Sequence, residues 1–243
     1  MTAATTRPGG KNASMAVITF AHRGGRAHAT ENTLRAFRKG LELGATGLES
    51  DVWLSADGQP VLVHDERFWR GLHRVDVRRS TAAELARLEI PRLVDLFEDL
   101  GNDYELSLDL KDPASARATV AVLRSHGVPE RSWLCISGMR LLTEVREEAT
   151  DVKIVHSRRR DKIGTELEAH AARLAALGVD AMNMHHTDWN AGLVALFHRF
   201  ELLAFAWDVQ HVRNLRTMLD YDVDALYSDR VDRMVATVSE WAA

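Results

Sequence analysis

The sequence predicts an α/β fold closed into a (β/α)8 barrel of the TIM type, and three observations carry that expectation. Short apolar runs rich in β-branched residues alternate with amphipathic helical patterns along the chain of 243 residues. No composition shift, linker or short repeat divides it. Ionisable residues gather at the ends of the apolar runs, where a barrel of this type carries its chemistry.

The strand-like runs cover residues 17–21, 47–53, 60–64, 105–111, 133–137, 152–156, 181–185, 202–209 and 225–228. Helical patterns cover 32–43, 82–88, 93–100, 114–126, 140–148, 166–177, 193–200, 212–219 and 232–241. Thr30 is the expected cap of the first helix. Gly44, Gly101, Gly127 and Gly178 stand where helix ends need a left-handed residue. Nine strands are one too many for an eightfold barrel, and the connection from Trp53 to Pro60 explains the surplus. It is too short for a parallel crossover, which needs about a dozen residues, and its Asp57-Gly58 is a hairpin signal. Residues 60–64 are therefore expected to fold back antiparallel after strand 2, as a β-hairpin excursion outside the barrel. The eight barrel strands are then those carrying His22, Glu49, Asp109, Cys135, His156, Asn183, Trp207 and Ser228. Residues 1–14, rich in Thr, Ala and Gly, are expected to form a disordered leader before a single barrel domain over 15–243.

Composition narrows the function classes. The chain is 46% hydrophobic and 27% charged, with a net charge of −4. Acids and bases are interspersed and no basic arm stands out, so no nucleic-acid partner is expected. No run reaches the about 18 apolar residues that a transmembrane helix requires, which leaves at most transient contact with a membrane surface. The single cysteine, Cys135, excludes an intrachain disulfide and suits a reducing, cytoplasmic setting.

Chemistry concentrates between residues 21 and 65, in His22-Arg23-Gly24, Glu31-Asn32-Thr33, Glu49-Ser50-Asp51, Asp57-Gly58 and His64-Asp65. Glu49 and Asp51 are two apart on one strand and share a face. Asp109 and Lys111 repeat that spacing on the next barrel strand. Three converging carboxylates would repel one another unless a hard divalent cation held them. Such a cation also polarises a phosphoryl oxygen. Arg23 and Lys111 supply positive charge for non-bridging oxygens. His22 and His64 can trade a proton near neutral pH. The pattern points to metal-assisted cleavage of a phosphodiester. Other clusters are weaker. Arg158-Arg159-Arg160 reads as a solvated run, and of His185-His186 only His185 is expected to share an inward face with Asn183.

In motif order the chain resembles the glycerophosphodiester phosphodiesterase family of phospholipase-C-like barrels. The matches are His22-Arg23-Gly24, Glu31-Asn32-Thr33, Glu49-Ser50-Asp51-Val52, Asp57-Gly58, His64-Asp65, Asp109-Leu110-Lys111, Trp207-Asp208-Val209 and Ser228-Asp229. The resemblance implies a TIM barrel that cleaves glycerophosphodiesters to an alcohol and glycerol phosphate. It implies one Mg²⁺ or Ca²⁺ held by Glu49, Asp51 and Asp109, and His22 and His64 as the acid–base pair. It also implies phosphate or substrate contacts from Arg23, Lys111, Trp207 and Asn32. The attacking group is either a neighbouring substrate hydroxyl or water. Departures from the family pattern are Thr30 for proline, Asp109 for the usual glutamate, and Asp208 and Gln210 for threonine and asparagine. The segment between His64 and Pro91 is short for the family and carries Phe68, Trp69 and Leu72, which either pack under the loop or contact an acyl chain. A lysophospholipase-D-like enzyme and a non-catalytic phosphodiester-binding protein are the alternative readings.

Overall fold

The computed structural model describes residues 16–243, so the leader expected over 1–14 lies outside the described residues. Eight parallel strands close on themselves. They are β1 (Ile18–Ala21), β2 (Gly47–Leu54), β6 (Glu105–Leu110), β7 (Ser132–Ile136), β8 (Lys153–Ser157), β9 (Ala181–His185), β10 (Leu203–Trp207) and β11 (Ala225–Ser228). Each pairs with its neighbours in that order, and β1 closes the ring against both β11 and β2. Outside the ring run α1 (Leu34–Glu42), α2 (Ala82–Ala86), α3 (Leu93–Leu100), α4 (Ala116–Ser125), α5 (Met139–Glu148), α6 (Leu167–Ala176), α7 (Ala191–Arg199), α8 (Val212–Asp220) and α9 (Val231–Ala242).

The excursion after β2 forms as the short connection requires. Strand β3 (Pro60–Leu62) pairs antiparallel with β2, Val52 against Leu62 and Leu54 against Pro60. Gly58 turns the chain at φ 77°, a conformation that suits glycine. A second hairpin, which the sequence analysis leaves as loop, follows at once: β4 (Arg67–Arg70) against β5 (His73–Asp76), turning through Gly71-Leu72. Its arginine-rich strands carry little apolar alternation, so the period-2 signal is weak. The excursion buries a small core of its own from Val61, Val63, Val75, Val77, Leu85 and Ile90.

Two other local expectations shift. The cap of α1 is Thr33, not Thr30: the Thr33 hydroxyl accepts from Ala36 N at 3.2 Å and donates to the Thr30 carbonyl at 2.7 Å. Asn32 sits at φ 54°, which delays the helix past it. All four predicted glycine caps have positive φ, from 68° at Gly127 and Gly178 to 90° at Gly44.

The main apolar layer lies between the sheet and the helices. A second fills the barrel, from Ile18, Phe20, Trp133, Cys135, Val155, Ala181, Phe205, Ala225 and Tyr227. Phe20 stacks on Tyr227 with ring centroids 4.7 Å apart, and Trp133 meets Phe205 edge-on at 4.9 Å. Gly47 makes room for Phe20, whose ring would lie 2.7 Å from a Cβ there. This packed floor sets the position of everything above it. Side chains alternate along a strand, so His22 follows Phe20, Asp229 follows Tyr227, and Trp207 follows Phe205 towards the C-terminal mouth.

Candidate active site

His22 leaves the end of β1 in a tight turn. Its Nδ1–H faces Asp229 Oδ1 at 2.6 Å, and its Nε2 lies 3.8 Å from Glu49 Oε2. The Asp229 carboxylate thereby selects the tautomer that leaves Nε2 for chemistry. Burial alone would lower the imidazole pKa, but the charges of Glu49 and Asp229 outweigh it, and His22 is held above its ordinary value. Asp229 is lowered in turn: burial opposes its ionisation, but the bond to His22 and the charge of Arg26 dominate. Arg26 Nε reaches Asp229 Oδ2 at 3.1 Å.

The turn after His22 is built for close approach. Arg23 adopts φ 50° and Gly24 φ 80°. A Cβ on Gly24 would stand 2.7 Å from the backbone of Ala36 and Phe37. This conformation lets the Arg23 N–H donate to Glu49 Oε2 at 2.8 Å. The guanidinium donates to Glu31 Oε1 at 3.0 Å and lies 3.4 Å from Asp51 Oδ2 through Nε.

Glu49 and Asp51 are buried on the inner face of β2, and Asp109 stands level with Asp51 on β6. Lys111, just past the end of β6, bridges the two aspartates, with Nζ 2.5 Å from Asp109 Oδ2 and 3.2 Å from Asp51 Oδ1. Burial, reinforced by Asp51 and Asp109, pushes the Glu49 carboxyl up to about 7 against the attraction of His22. Burial also raises Asp109, against Lys111, while the two aspartates drive Lys111 upward. Asn32 is buried behind these carboxylates. Its amide donates to Asp51 Oδ2 at 3.3 Å and its carbonyl accepts from Ser50 Oγ at 2.8 Å. Asn32 is thus bonded to Asp51 and to Ser50 beside the carboxylates.

His64 arrives on the segment that leaves β3. Its carbonyl accepts from Trp53 Nε1 at 3.0 Å, and its Nδ1–H faces Asp65 Oδ1 at 2.8 Å. Both histidines therefore carry an aspartate on Nδ1. Phe68 and Trp69 separate. Phe68 packs into the small core of the excursion, while Trp69 on the opposite face is 69% exposed. Trp207 ends β10 at the rim, edge-on to His185 at 4.6 Å, with the Arg159 guanidinium 5.9 Å from its ring. Arg159 is not simply solvated, since it pairs with Asp188 at 2.7 Å.

The expectation for His185-His186 needs correction. β9 ends at His185, and His186 opens a 3-10 turn, so strand alternation does not separate the two side chains. Among the described residues, one group of three His, Cys, Asp or Glu side chains brings its ligand atoms within 4.8 Å of one another: His185, His186 and Asp208.

The model of the glycerophosphoryl diester phosphodiesterase family matches residues 22–233. The chain belongs to that family. It is an enzyme, a phosphodiesterase. A glycerophosphodiester phosphodiesterase of Caldanaerobacter subterraneus is 26% identical over 92% of this chain and 98% of its own length. The crystal structure of a glycerophosphodiester phosphodiesterase from Thermotoga maritima matches with a TM-score of 0.81 and 25% identity, over 92% of this chain and 99% of that one. The fold is also that of an Oleispira antarctica phosphodiesterase solved in complex with the product sn-glycerol-3-phosphate. There the TM-score is 0.79 at 21% identity, over 91% and 96% of the two chains.

Three contributors to the site carry no role in the sequence analysis: Asp229 on His22, Glu31 on Arg23, and Gln210. The Gln210 Oε1 accepts from Asp229 N at 3.0 Å and from Ser228 Oγ at 3.1 Å. Asp229 had two usable signals, the Ser228-Asp229 motif and the period-2 step from Tyr227 out of the barrel floor.

Proposed function

We propose that this member of the family is a metal-dependent hydrolase that cleaves glycerophosphodiesters to an alcohol and glycerol phosphate, using one Mg²⁺ or Ca²⁺. One observation carries the reading: a histidine oriented by a carboxylate, Glu49, Asp51 and Asp109, and the cations Arg23 and Lys111 meet at the mouth of one barrel. The donor set fits a hard cation. All three carboxylates offer oxygen, Glu49 and Asp51 are buried, and burial pushes the Glu49 carboxyl up to about 7; Lys111 Nζ now stands between the two aspartates, so a bound ion would displace it and draw the three carboxylates together. Glu49, Asp51 and Asp109 would hold the ion, which would supply charge for a phosphoryl oxygen.

The protein's own groups do the rest. Arg23 and Lys111 bind and orient the non-bridging oxygens. His22 Nε2, made basic by Asp229, takes the proton of the attacking hydroxyl, whether of the substrate or of water. His64, oriented by Asp65, gives a proton to the departing alkoxide, and a proton exchange with solvent resets the pair. Asn32 holds Asp51 in place. Trp207 offers an apolar wall to the glycerol or headgroup. The single buried Cys135 suits a reducing compartment such as the cytoplasm. Among the described residues no helix is long and apolar enough to cross a membrane.

The test is turnover of glycerophosphocholine and of bis(p-nitrophenyl) phosphate with and without EDTA. We expect both to stop in EDTA and recover with Mg²⁺ or Ca²⁺, and Glu49→Gln or Asp51→Asn to lose turnover while keeping the native circular dichroism. Full activity of either variant in EDTA would reject the metal role. The exposed Trp69 favours a second reading, lysophospholipase-D-like cleavage or brief contact with a lipid surface. Under it, Trp69→Ala would reduce turnover of lysophosphatidylcholine and spare glycerophosphocholine.

A further inference from the structure

A second cluster of ligating groups occupies the same rim, on the ends of β9 and β10, away from the carboxylates of β2 and β6. His185, His186 and Asp208 each offer one ligand atom, all within 4.8 Å of one another. The His185 and His186 rings lie side by side with centroids 4.5 Å apart. His185 and Asp208 are each oriented by a neighbour. His185 Nδ1 accepts from the Thr187 backbone N–H at 3.3 Å and lies 2.7 Å from the Thr187 hydroxyl, which fixes the ring. Its Nε2 faces Asp208 Oδ2 at 3.2 Å, where a cation would replace the proton the two share. The other Asp208 oxygen accepts from Gln210 Nε2 at 3.0 Å, which fixes Oδ2 towards the imidazoles. Outer contacts that fix a ring and a carboxylate in place are the usual support of a metal site.

We propose that His185, His186 and Asp208 form a second metal site, taking a borderline first-row divalent cation such as Zn²⁺. Two imidazoles and one carboxylate suit that class, whereas the all-oxygen set of Glu49, Asp51 and Asp109 suits a harder ion. Three protein ligands leave a position open to water or to an oxygen of a bound ligand, beside Trp207. Asp208 stands where the family pattern has threonine. It is also joined to the catalytic histidine. Gln210 donates to Asp208 and accepts from the backbone of Asp229, which holds His22. The proposal stands on these contacts and does not depend on the reaction assigned above.

The experiment is a titration of the full-length, tag-free protein, stripped with chelator and returned to excess Mg²⁺ so that hard sites are filled. Zn²⁺ is followed by calorimetry and Co²⁺ by its visible d–d absorption. One equivalent per chain is expected, with His186→Ala and Asp208→Asn each weakening binding at least tenfold and Glu49→Gln leaving it intact. Nuclear magnetic resonance of the wild-type imidazoles supplies a reading that does not depend on variants folding: Zn²⁺ should shift the His185 and His186 ring signals. Absence of binding, unshifted His185 and His186 signals, equal binding by His186→Ala and Asp208→Asn, or loss of binding in Glu49→Gln would each overturn the proposal.

Discussion

Replacing Asp229 with asparagine should disable the enzyme through the hydrogen-bond partner of His22. The wild-type carboxylate accepts from His22 Nδ1 at 2.6 Å and, with Glu49, keeps the imidazole above its ordinary value. A hydrogen bond to a charged partner is worth about 1.5–3 kcal/mol. Removing it should lower the His22 pKa, since burial then acts with less charge to oppose it. The sign follows from the proposed role: His22 would accept a proton, so activity should fall at acid pH as His22 becomes protonated. In Asp229→Asn the acid limb of kcat/KM should move to lower pH. The plateau should also fall. An amide can offer N–H to Nδ1 and hold the wrong tautomer, which costs a serine-protease triad about 10⁴ in kcat. Here His22 keeps its place in the turn, and a loss on the order of 10²–10⁴ is expected. The assay is hydrolysis of glycerophosphocholine from pH 5 to 9 at saturating Mg²⁺, with circular dichroism as the fold control. A profile unmoved, or moved to higher pH, together with kcat within about twofold of wild type, would refute this account of Asp229.

Three further outcomes follow from the same contacts. Glu49 titrates at about 7 without a cation, so Mg²⁺ must displace a proton there; its affinity, measured by calorimetry, should weaken about tenfold per pH unit below that value and level off above it. His64→Ala should slow cleavage of alkyl phosphodiesters about 10²–10⁴-fold but hurt bis(p-nitrophenyl) phosphate far less, since nitrophenolate leaves without protonation; equal losses on both would reject His64 as the acid. Gly24→Ala forces a side chain into φ 80° and to 2.7 Å from the Ala36 backbone. Left-handed strain of about 1–2 kcal/mol and overpacking of about 1–3 kcal/mol should lower the melting temperature by about 4–20 °C, measured by thermal unfolding.

Much of this protein was legible in its sequence because the signals are local. Alternation of β and α runs, the glycines at helix ends and the connection from Trp53 to Pro60 are properties of short windows, and they lead to a closed barrel with an excursion after β2. The i, i+2 spacing of Glu49 with Asp51 puts both on one face whatever surrounds them. Local signals also misled. Thr30 looked like a cap, but the left-handed Asn32 hands that task to Thr33. His185 and His186 looked opposed, but a strand's alternation ends where the strand does.

What the sequence by itself determined is the inventory and its direction: strands that end in acids and histidines, with those groups facing one rim. What only the tertiary structure decided is which groups meet across the ring. Asp229 lies 207 residues from His22, yet it becomes its partner because closing the barrel lays β11 beside β1. Lys111 comes between Asp51 and Asp109 because β6 pairs in register with β2. Asp208 joins His185 because β10 lies beside β9. Each of these pairings depends on strand order and register, and those are set by packing the whole ring around its aromatic floor, a constraint that no short window of sequence contains.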